Sequence, residues 1–507
     1  MSPPRPAPAK LFGIRHGRTG VTVREPRSPP SPIPGAQMSI RAIDEAPLTA
    51  FHRKLTWACA GGPFLDGYLL SIIGVALIGM SGELNLSAGD EGLIGAAALV
   101  GIFAGGLFGG VLTDRIGREA MYTIDLMVLV GVSVLSVFAG ESWQFVVLRF
   151  VLGVAIGADY PIATSLLAEW VPNRHRGRLL GILILSWYIG AAVAYVVGYV
   201  LAEIGGVGMW RWMLASGALL SAMILLMRIG TPESPLWLVN QGRTADAQKS
   251  IEKALGRTVP IGDLVVAAAA EQSLARHRFR DLFQGVYLRR TLFCGLFYMC
   301  QITPMFALYT FGPAILGSFG LGEGNAGNLG SALISAVFVL GCLPALRLVD
   351  RVGRRPVMVW SFALMAVPLA VLGGGSSLPI AVVIVCFCLY ALLSGGPTVL
   401  EWTYPNELFP TAVRATAGGV ATSISRIGAA VGTLLLPISL SRLGIGATML
   451  IGAGITLVGW LVSLAWAEET RGRTLAETSA VPGGPRNSSE TDGQRGAALR
   501  KSGIERS

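Results

Sequence analysis

Twelve stretches of this chain are apolar over about the 20 residues that a helix needs to cross a hydrocarbon layer. They run near 57 to 79, 91 to 112, 119 to 139, 144 to 168, 178 to 201 and 210 to 229, then near 291 to 316, 327 to 348, 355 to 374, 379 to 404, 416 to 437 and 444 to 466. Hydrocarbon offers the backbone no hydrogen-bond partner, so each stretch must satisfy its own N–H and C=O groups as an α-helix. The expected fold is all-α and integral to a membrane, with twelve transmembrane helices in two six-helix pseudo-symmetric bundles. Charged residues make up only 14% of the chain, against roughly 25% in a soluble domain, so one aqueous core is excluded.

Two short patterns occur twice. Asp114-Arg115-Ile116-Gly117-Arg118 returns 236 residues later as Asp350-Arg351-Val352-Gly353-Arg354. Glu169, Pro172 and Arg176 return 238 residues later as Glu407, Pro410 and Arg414. Internal repeats in a polytopic membrane chain imply a secondary transporter whose halves rock about a shared site near the midplane. The charges in both copies, Asp114, Arg115, Arg118, Glu169 and Arg176 with Asp350, Arg351, Arg354, Glu407 and Arg414, are expected to pair across the two bundles and latch a cytoplasmic gate.

The net charge is +10, but the basic residues gather in tails and in loops on one side of the spans. The rule that cytoplasmic loops carry excess Lys and Arg explains them without a nucleic-acid partner, and it puts both termini in the cytoplasm of a multi-pass cell (inner or plasma) membrane protein. The organisation expected is a disordered basic tail over 1–52, a bundle over 53–230, a cytoplasmic loop over 231–290, a second bundle over 291–467 and a disordered tail over 468–507. Within the loop, Thr244 to Leu255 has the pattern of a short amphipathic helix. Met1 to Ile40 holds no apolar run and does not read as a signal peptide.

Cys59, Cys294, Cys300, Cys342, Cys386 and Cys388 fall inside spans without metal-ligand spacing. His16, His52, His175 and His277 fall in tails or loops, so histidine is not expected to carry protons through the membrane. No Walker loop and no nucleophile–base pair is present. The chain is therefore not expected to be an enzyme, nor to hold a metal or cofactor.

Gly110-Val111-Leu112-Thr113-Asp114-Arg115-Ile116-Gly117-Arg118 resembles the motif between helices two and three of the major facilitator superfamily, and the second copy resembles its counterpart between helices eight and nine. Pro232-Glu233-Ser234-Pro235-Leu236-Trp237-Leu238 and Glu469-Thr470-Arg471-Gly472-Arg473-Thr474-Leu475 resemble the sugar-transporter-like branch. The resemblance covers about residues 55 to 478 and implies the twelve-helix fold and transport by alternating access.

Ionisable residues inside spans cost about 2.5–3.5 kcal/mol on insertion scales and default to functional hypotheses. Asp66, Arg149, Asp159, Glu401 and Arg426 are the candidates. At about 1.5 Å of rise per residue, Asp66, Asp159 and Arg426 each come to roughly 14–15 Å from the cytoplasmic edge, which suggests one central polar site. Asp66, Asp159, Glu401 and Arg149 are the proton-coupling candidates. Phe64-Leu65-Asp66-Gly67-Tyr68 looks like the first-helix motif of aromatic-acid and niacin-type symporters, with Leu69 where their second Asp stands. Gly157-Ala158-Asp159-Tyr160-Pro161 resembles a segment of phosphate:proton symporters in which the Asp titrates. Arg149, Gly153 and Gly157 lie four apart, on a face where glycine permits close helix approach. Asp125 reads as structural.

Ser425-Arg426-Ile427-Gly428 resembles the pattern of organic-anion and aromatic-acid carriers, in which the Arg faces the substrate. A guanidinium in a low-dielectric cavity favours carboxylate or phosphate; the competing reading has it neutralised by Asp66 or Asp159. In the seventh span Gln301 stands alone where sugar porters show a pair, and no acid lies where phosphate carriers have one. Trp187, Tyr188, Tyr309 and Trp402, with Phe297, Tyr298, Phe306 and Phe311, could line a pocket for a ring. The substrate-binding candidates are accordingly Arg426, Gln301, Trp187, Tyr188, Tyr309 and Trp402.

The expectation is a monomeric secondary active transporter of a small organic anion, such as an aromatic or other carboxylate metabolite, with protons as the coupling ion and the lipid bilayer as its surroundings. A sugar or phosphate symporter is the alternative within the class. A non-transporting membrane sensor with the same fold is the alternative outside it.

Overall fold

The computed structural model describes residues 48–171, 173–256, 281–321, 325–409, 411–472 and 478. The expected tails, apart from their inner ends, and much of the central loop lie outside the described residues. Six long helices come first: α1 (Ala50–Leu84), α2 (Ala88–Ile116), α3 (Arg118–Phe138), α4 (Ser142–Trp170), α5 (Asn173–Gly205) and α6 (Trp210–Arg228). Two short helices follow, α7 (Pro235–Asn240) and α8 (Thr244–Leu255). The second half holds α9 (Gly285–Leu316), α10 (Ala326–Arg351), α11 (Arg354–Leu372), α12 (Ile380–Leu408) and α13 (Thr411–Trp466). No strand occurs among the described residues.

Among the described residues, eleven helices are long and apolar enough to cross a membrane. The last of them has 56 residues and breaks at Gly444, where φ is 79° and ψ 172°. Its two limbs make twelve crossings. The break is where the sequence divides its eleventh and twelfth spans.

The repeat reappears as a packing pattern. In the first half α1 packs on α5, α2 on α4 and α3 on α6; in the second, α9 packs on α13, α10 on α12 and α11 on α13. The bundles meet through α2 with α13, α5 with α10, and α1 with α9. Glycines set the closest approaches inside a bundle. A Cβ at Gly153 would lie 2.0 Å from the Ala98 carbonyl oxygen, and one at Gly157 would lie 2.3 Å from that of Ile102, so α2 and α4 touch backbone to backbone.

Contacts between bundles gather in the half away from the termini. A Cβ at Gly74 would stand 2.0 Å from the Thr310 carbonyl oxygen, and one at Gly92 would stand 2.3 Å from that of Leu434. The Tyr195 hydroxyl donates to the Tyr309 carbonyl, and Asn325 Nδ2 donates to the Tyr199 carbonyl at 2.6 Å. These bonds, with those from Tyr188 to Met305 and Thr398 and from Asn325 to Glu203, lie from mid-depth toward this far face.

Three expected boundaries move. α1 starts at Ala50, inside the expected tail, because Thr49 and His52 close a capping box. α9 starts at Gly285, inside the expected loop, and its Arg290 bonds Glu468 at 2.8 Å. Glu468 to Thr470 belong to the folded protein for the same reason: each is tied to a bundle side chain or backbone group. α8 is the amphipathic helix expected, with Ala247, Ile251 and Ala254 packed in one apolar cluster with Leu238, Leu166 and Trp170.

Candidate functional site

The polar centre forms where α5, α9, α12 and α13 converge. Gln301 is fully buried, and its Nε2 donates to Ser394 Oγ and Thr398 Oγ1, each at 3.0 Å. Tyr188, from the other bundle, donates to the same Thr398 oxygen at 3.3 Å. Gln301 Oε1 receives no hydrogen bond among the described residues. Ser394, Thr398 and Met305 complete this cluster, and the sequence reading names none of them.

Around it the aromatic residues form a wall. Trp187 meets Tyr309 edge-on at 5.0 Å and Phe306 at 5.6 Å, while Tyr188 stacks on Phe338 at 5.7 Å. Trp187, Tyr188, Tyr309 and Phe306 therefore do come together, and Phe338 joins them from α10. Phe293 and Phe297 pack instead against Tyr404. Trp402 is half-buried beside Glu401.

Arg426 is 7% exposed and stands 5.0 Å over the Phe306 ring. Its Nε and Nη1 are buried without a hydrogen-bond partner among the described residues. Asp66 and Glu401 both lie within electrostatic reach of it. Glu401 is held by the Tyr298 hydroxyl. Asp66 is 1% exposed, and neither of its oxygens receives a hydrogen bond among the described residues. Gly67 beside it lets α5 in, since a Cβ there would lie 1.9 Å from the Trp187 carbonyl oxygen.

Asp159 does not join Arg426 as expected. Its carboxylate turns away within the first bundle, 3.6 Å from Arg228, which also lies 3.9 Å from Asp125. Equal depth along two helices does not put two side chains on facing sides. Arg228, at the end of α6, is absent from the sequence candidates because nothing local distinguishes it from an arginine that ends a span. Arg149 pairs with no acid among the described residues; its Nη1 donates to the Leu69 carbonyl at 2.8 Å.

At the termini-bearing end, Arg354 forms an ion pair with Glu407 at 2.8 Å and a longer one with Asp350 at 3.5 Å. All three belong to the second bundle, so this pairing is within a bundle and not across the two. Arg354, at the start of α11, is tied to α12 through Glu407. Arg115 and Arg351 are exposed. The side chains of Asp114, Glu169, Arg176 and Arg414 lie outside the described residues.

Two further carboxylates complete these ends. Glu469 accepts from the Arg354 and Arg355 backbone N–H groups at 3.1 and 3.2 Å, capping α11. Glu233 accepts from the Glu119 N–H at 3.0 Å, capping α3. These N–H groups have no intrahelical acceptor, and an anion there also meets the positive end of the helix dipole. Each acid sits against a glycine: Gly117 with φ 109° and Gly353 with φ 119°. Only glycine adopts this conformation readily. A Cβ would also come within 2.8 Å of Glu233 and 2.6 Å of Glu469. The two acids are 236 residues apart, the offset of the doubled motif, a signal that could have found them.

The model of the family described as sugar (and other) transporter matches residues 54–481. The putative metabolite transport protein YaaU of Escherichia coli K12 is 44% identical over 439 residues, covering 87% of this chain and 97% of that protein. The inner membrane metabolite transport protein YgcS of the same organism is 36% identical over 444 residues, covering 87% and 97%. Among solved structures, the inward-open xylose transporter XylE from E. coli is similar with a TM-score of 0.71 at 22% identity, over 84% of this chain and 99% of that one.

Proposed function

The chain belongs to the sugar (and other) transporter family of the major facilitator superfamily, and on that premise we propose that it carries a small organic anion by alternating access, coupled to protons. It is a multi-pass membrane transporter and not an enzyme. The observation that carries the anion reading is Arg426: a buried guanidinium with two nitrogens lacking partners among the described residues, beside an aromatic wall. Placing an unsatisfied cation there is costly unless something completes it, and a carboxylate accepts two parallel N–H bonds from a guanidinium. A ring attached to that carboxylate would lie against Phe306, Trp187 and Tyr309. Gln301 Oε1 offers an acceptor for a hydroxyl or ring N–H on the same molecule.

Asp66 supplies the coupling in this reading. Ionised, it leaves a buried charge with no hydrogen bonds; protonated, it is neutral, and the anion then balances Arg426. The loaded and protonated carrier therefore meets the smallest electrostatic barrier to reorientation. Excess Arg in the loops at the termini-bearing face puts that face in the cytoplasm, and the contacts at the far face correspond to a closed outer side. The carrier works as a monomer, since both halves of the site come from one chain.

A second reading has one observation in its favour. Gln301, Ser394, Thr398 and Tyr188 form a neutral hydroxyl-and-amide cluster, which suits a polyol or sugar. Uptake of labelled benzoate, nicotinate, xylose and inorganic phosphate into proteoliposomes, with and without an inward proton gradient, separates the readings. Gradient-stimulated uptake of a carboxylate supports the proposal. Uptake of xylose alone would replace the anion by a sugar, and binding without counterflow would make the protein a sensor.

A further inference from the structure

Asp125 of α3, Asp159 of α4 and Arg228 of α6 meet inside the first bundle with side chains 1%, 4% and 3% exposed. Most of the guanidinium is already committed. Nε donates to the Ala58 carbonyl and Nη1 to the Tyr122 carbonyl, both at 3.2 Å, and the group lies 3.0 Å over the Tyr122 ring. Nη2 faces Asp159 Oδ1 at 3.6 Å, beyond hydrogen-bond distance, and has no partner among the described residues. Asp125 Oδ1 accepts from the Leu126 N–H at 2.6 Å, while Asp125 Oδ2 and Asp159 Oδ1 receive no donor.

Both carboxyl groups nevertheless stand beside this one guanidinium, at 3.9 and 3.6 Å. Ionised carboxylates only accept, so neither can donate to the other, and a proton held between them would satisfy oxygens left without a donor. Charge counting agrees. Two ionised acids beside one guanidinium would leave a net negative charge in a closed apolar bundle, at several kcal/mol for an uncompensated ion, and one proton removes it. The other titratable groups facing the pair, among the described residues, are Cys59 and Asp66 of α1 and Tyr122 of α3. None of these is a second cation.

α1 makes room for the pair. A Cβ at Gly62 would lie 1.8 Å from Asp159 Oδ2 and 2.9 Å from Arg228 Nη2. Gly62 and Asp66 are four residues apart, so they share a face of α1, separated by one turn of about 5.4 Å.

We propose that Asp125 and Asp159 share a single proton beside Arg228, forming a second proton-binding site one helical turn from Asp66 on the side of the termini. Its role rests on the coupling reading of Asp66. A proton leaving Asp66 breaks its O–H bond there and forms one on Asp159, and the proton already held passes from Asp125 to water on the side of the termini.

The test is infrared difference spectroscopy of the protonated-carboxyl C=O stretch in purified protein near neutral pH, in an Asp66→Asn, Glu401→Gln background so that neither of the other buried carboxyl groups adds to the band. A shared proton has a distinctive signature: Asp125→Asn and Asp159→Asn should each abolish the whole band, because one acid left beside Arg228 ionises. Arg228→Lys, which keeps the charge, should retain the band. If either single Asn variant keeps the band, the acids are independent and the proposal fails; absence of a band before either substitution overturns it too. Monodispersity and the helical signal show that each variant is folded. The readout needs no substrate, so a failure of the anion reading in uptake assays leaves this result standing, and the reverse holds as well.

Discussion

Replacing Arg426 by lysine keeps the positive charge and removes the forked donor. Nε and Nη1 are both buried without partners among the described residues, so a bound carboxylate would take two charge-assisted hydrogen bonds from them. Lysine offers one compact ammonium in their place. The expected loss is one hydrogen bond to a charged group, about 1.5–3 kcal/mol, or roughly 10- to 150-fold in the apparent affinity and uptake efficiency for the anion. Arg426→Ala is a poorer probe, since it also leaves Glu401 and Asp66 without the cation within their reach. The assay is counterflow of labelled benzoate or nicotinate, whichever the wild type exchanges, in proteoliposomes without a pH gradient, beside labelled xylose. Carboxylate exchange by Arg426→Lys within twofold of wild type would refute the argument. So would an equal fall for xylose, because a residue that only balances Glu401 and Asp66 would affect every solute alike.

Asp66→Asn should preserve counterflow and lose accumulation driven by a proton gradient; accumulation at wild-type level would remove Asp66 from the coupling. Glu469→Ala strips the acceptor from the first N–H groups of α11 and should lower stability by about 0.5–2 kcal/mol, in the range of lost helix caps, read as a drop in thermal midpoint. Glu233→Ala should do the same at α3, and a midpoint unchanged in both would show that the caps contribute nothing. Tyr195→Phe removes the hydroxyl that bonds the Tyr309 carbonyl across the bundles. It should raise labelling by a membrane-impermeant thiol reagent at a cysteine placed at Leu434, and unchanged labelling would mean that this bond does not help to hold the far side shut.

The elements and their pseudo-symmetry were legible because hydropathy and a fixed offset are properties of the chain itself. The close approach at Gly153 and Gly157 was legible for a similar reason: small residues four apart mark a helix face whatever packs on it. Partner choice was not. The doubled motif says that Arg354 and Glu407 matter together, but not whether they join within a bundle or across two. Arg426 and Asp66 were singled out by depth and charge, and both side chains are buried in the fold. Asp159 was found and placed with the wrong partner, because its direction depends on how α4 is rotated against α1 and α6. Arg228 left no trace, since a basic residue ending a span also satisfies the orientation rule.

The caps on α3 and α11 have a consequence for the continuity of the polypeptide. Glu233 follows the last helix of the first bundle, and Glu469 follows the last helix of the second; each reaches back to the third helix of its own bundle. Every half thus ends by tying its own strap, and neither of these caps crosses from one bundle to the other. A chain severed between Leu255 and Asp281 should yield two fragments that fold separately in the bilayer and reassemble when made together.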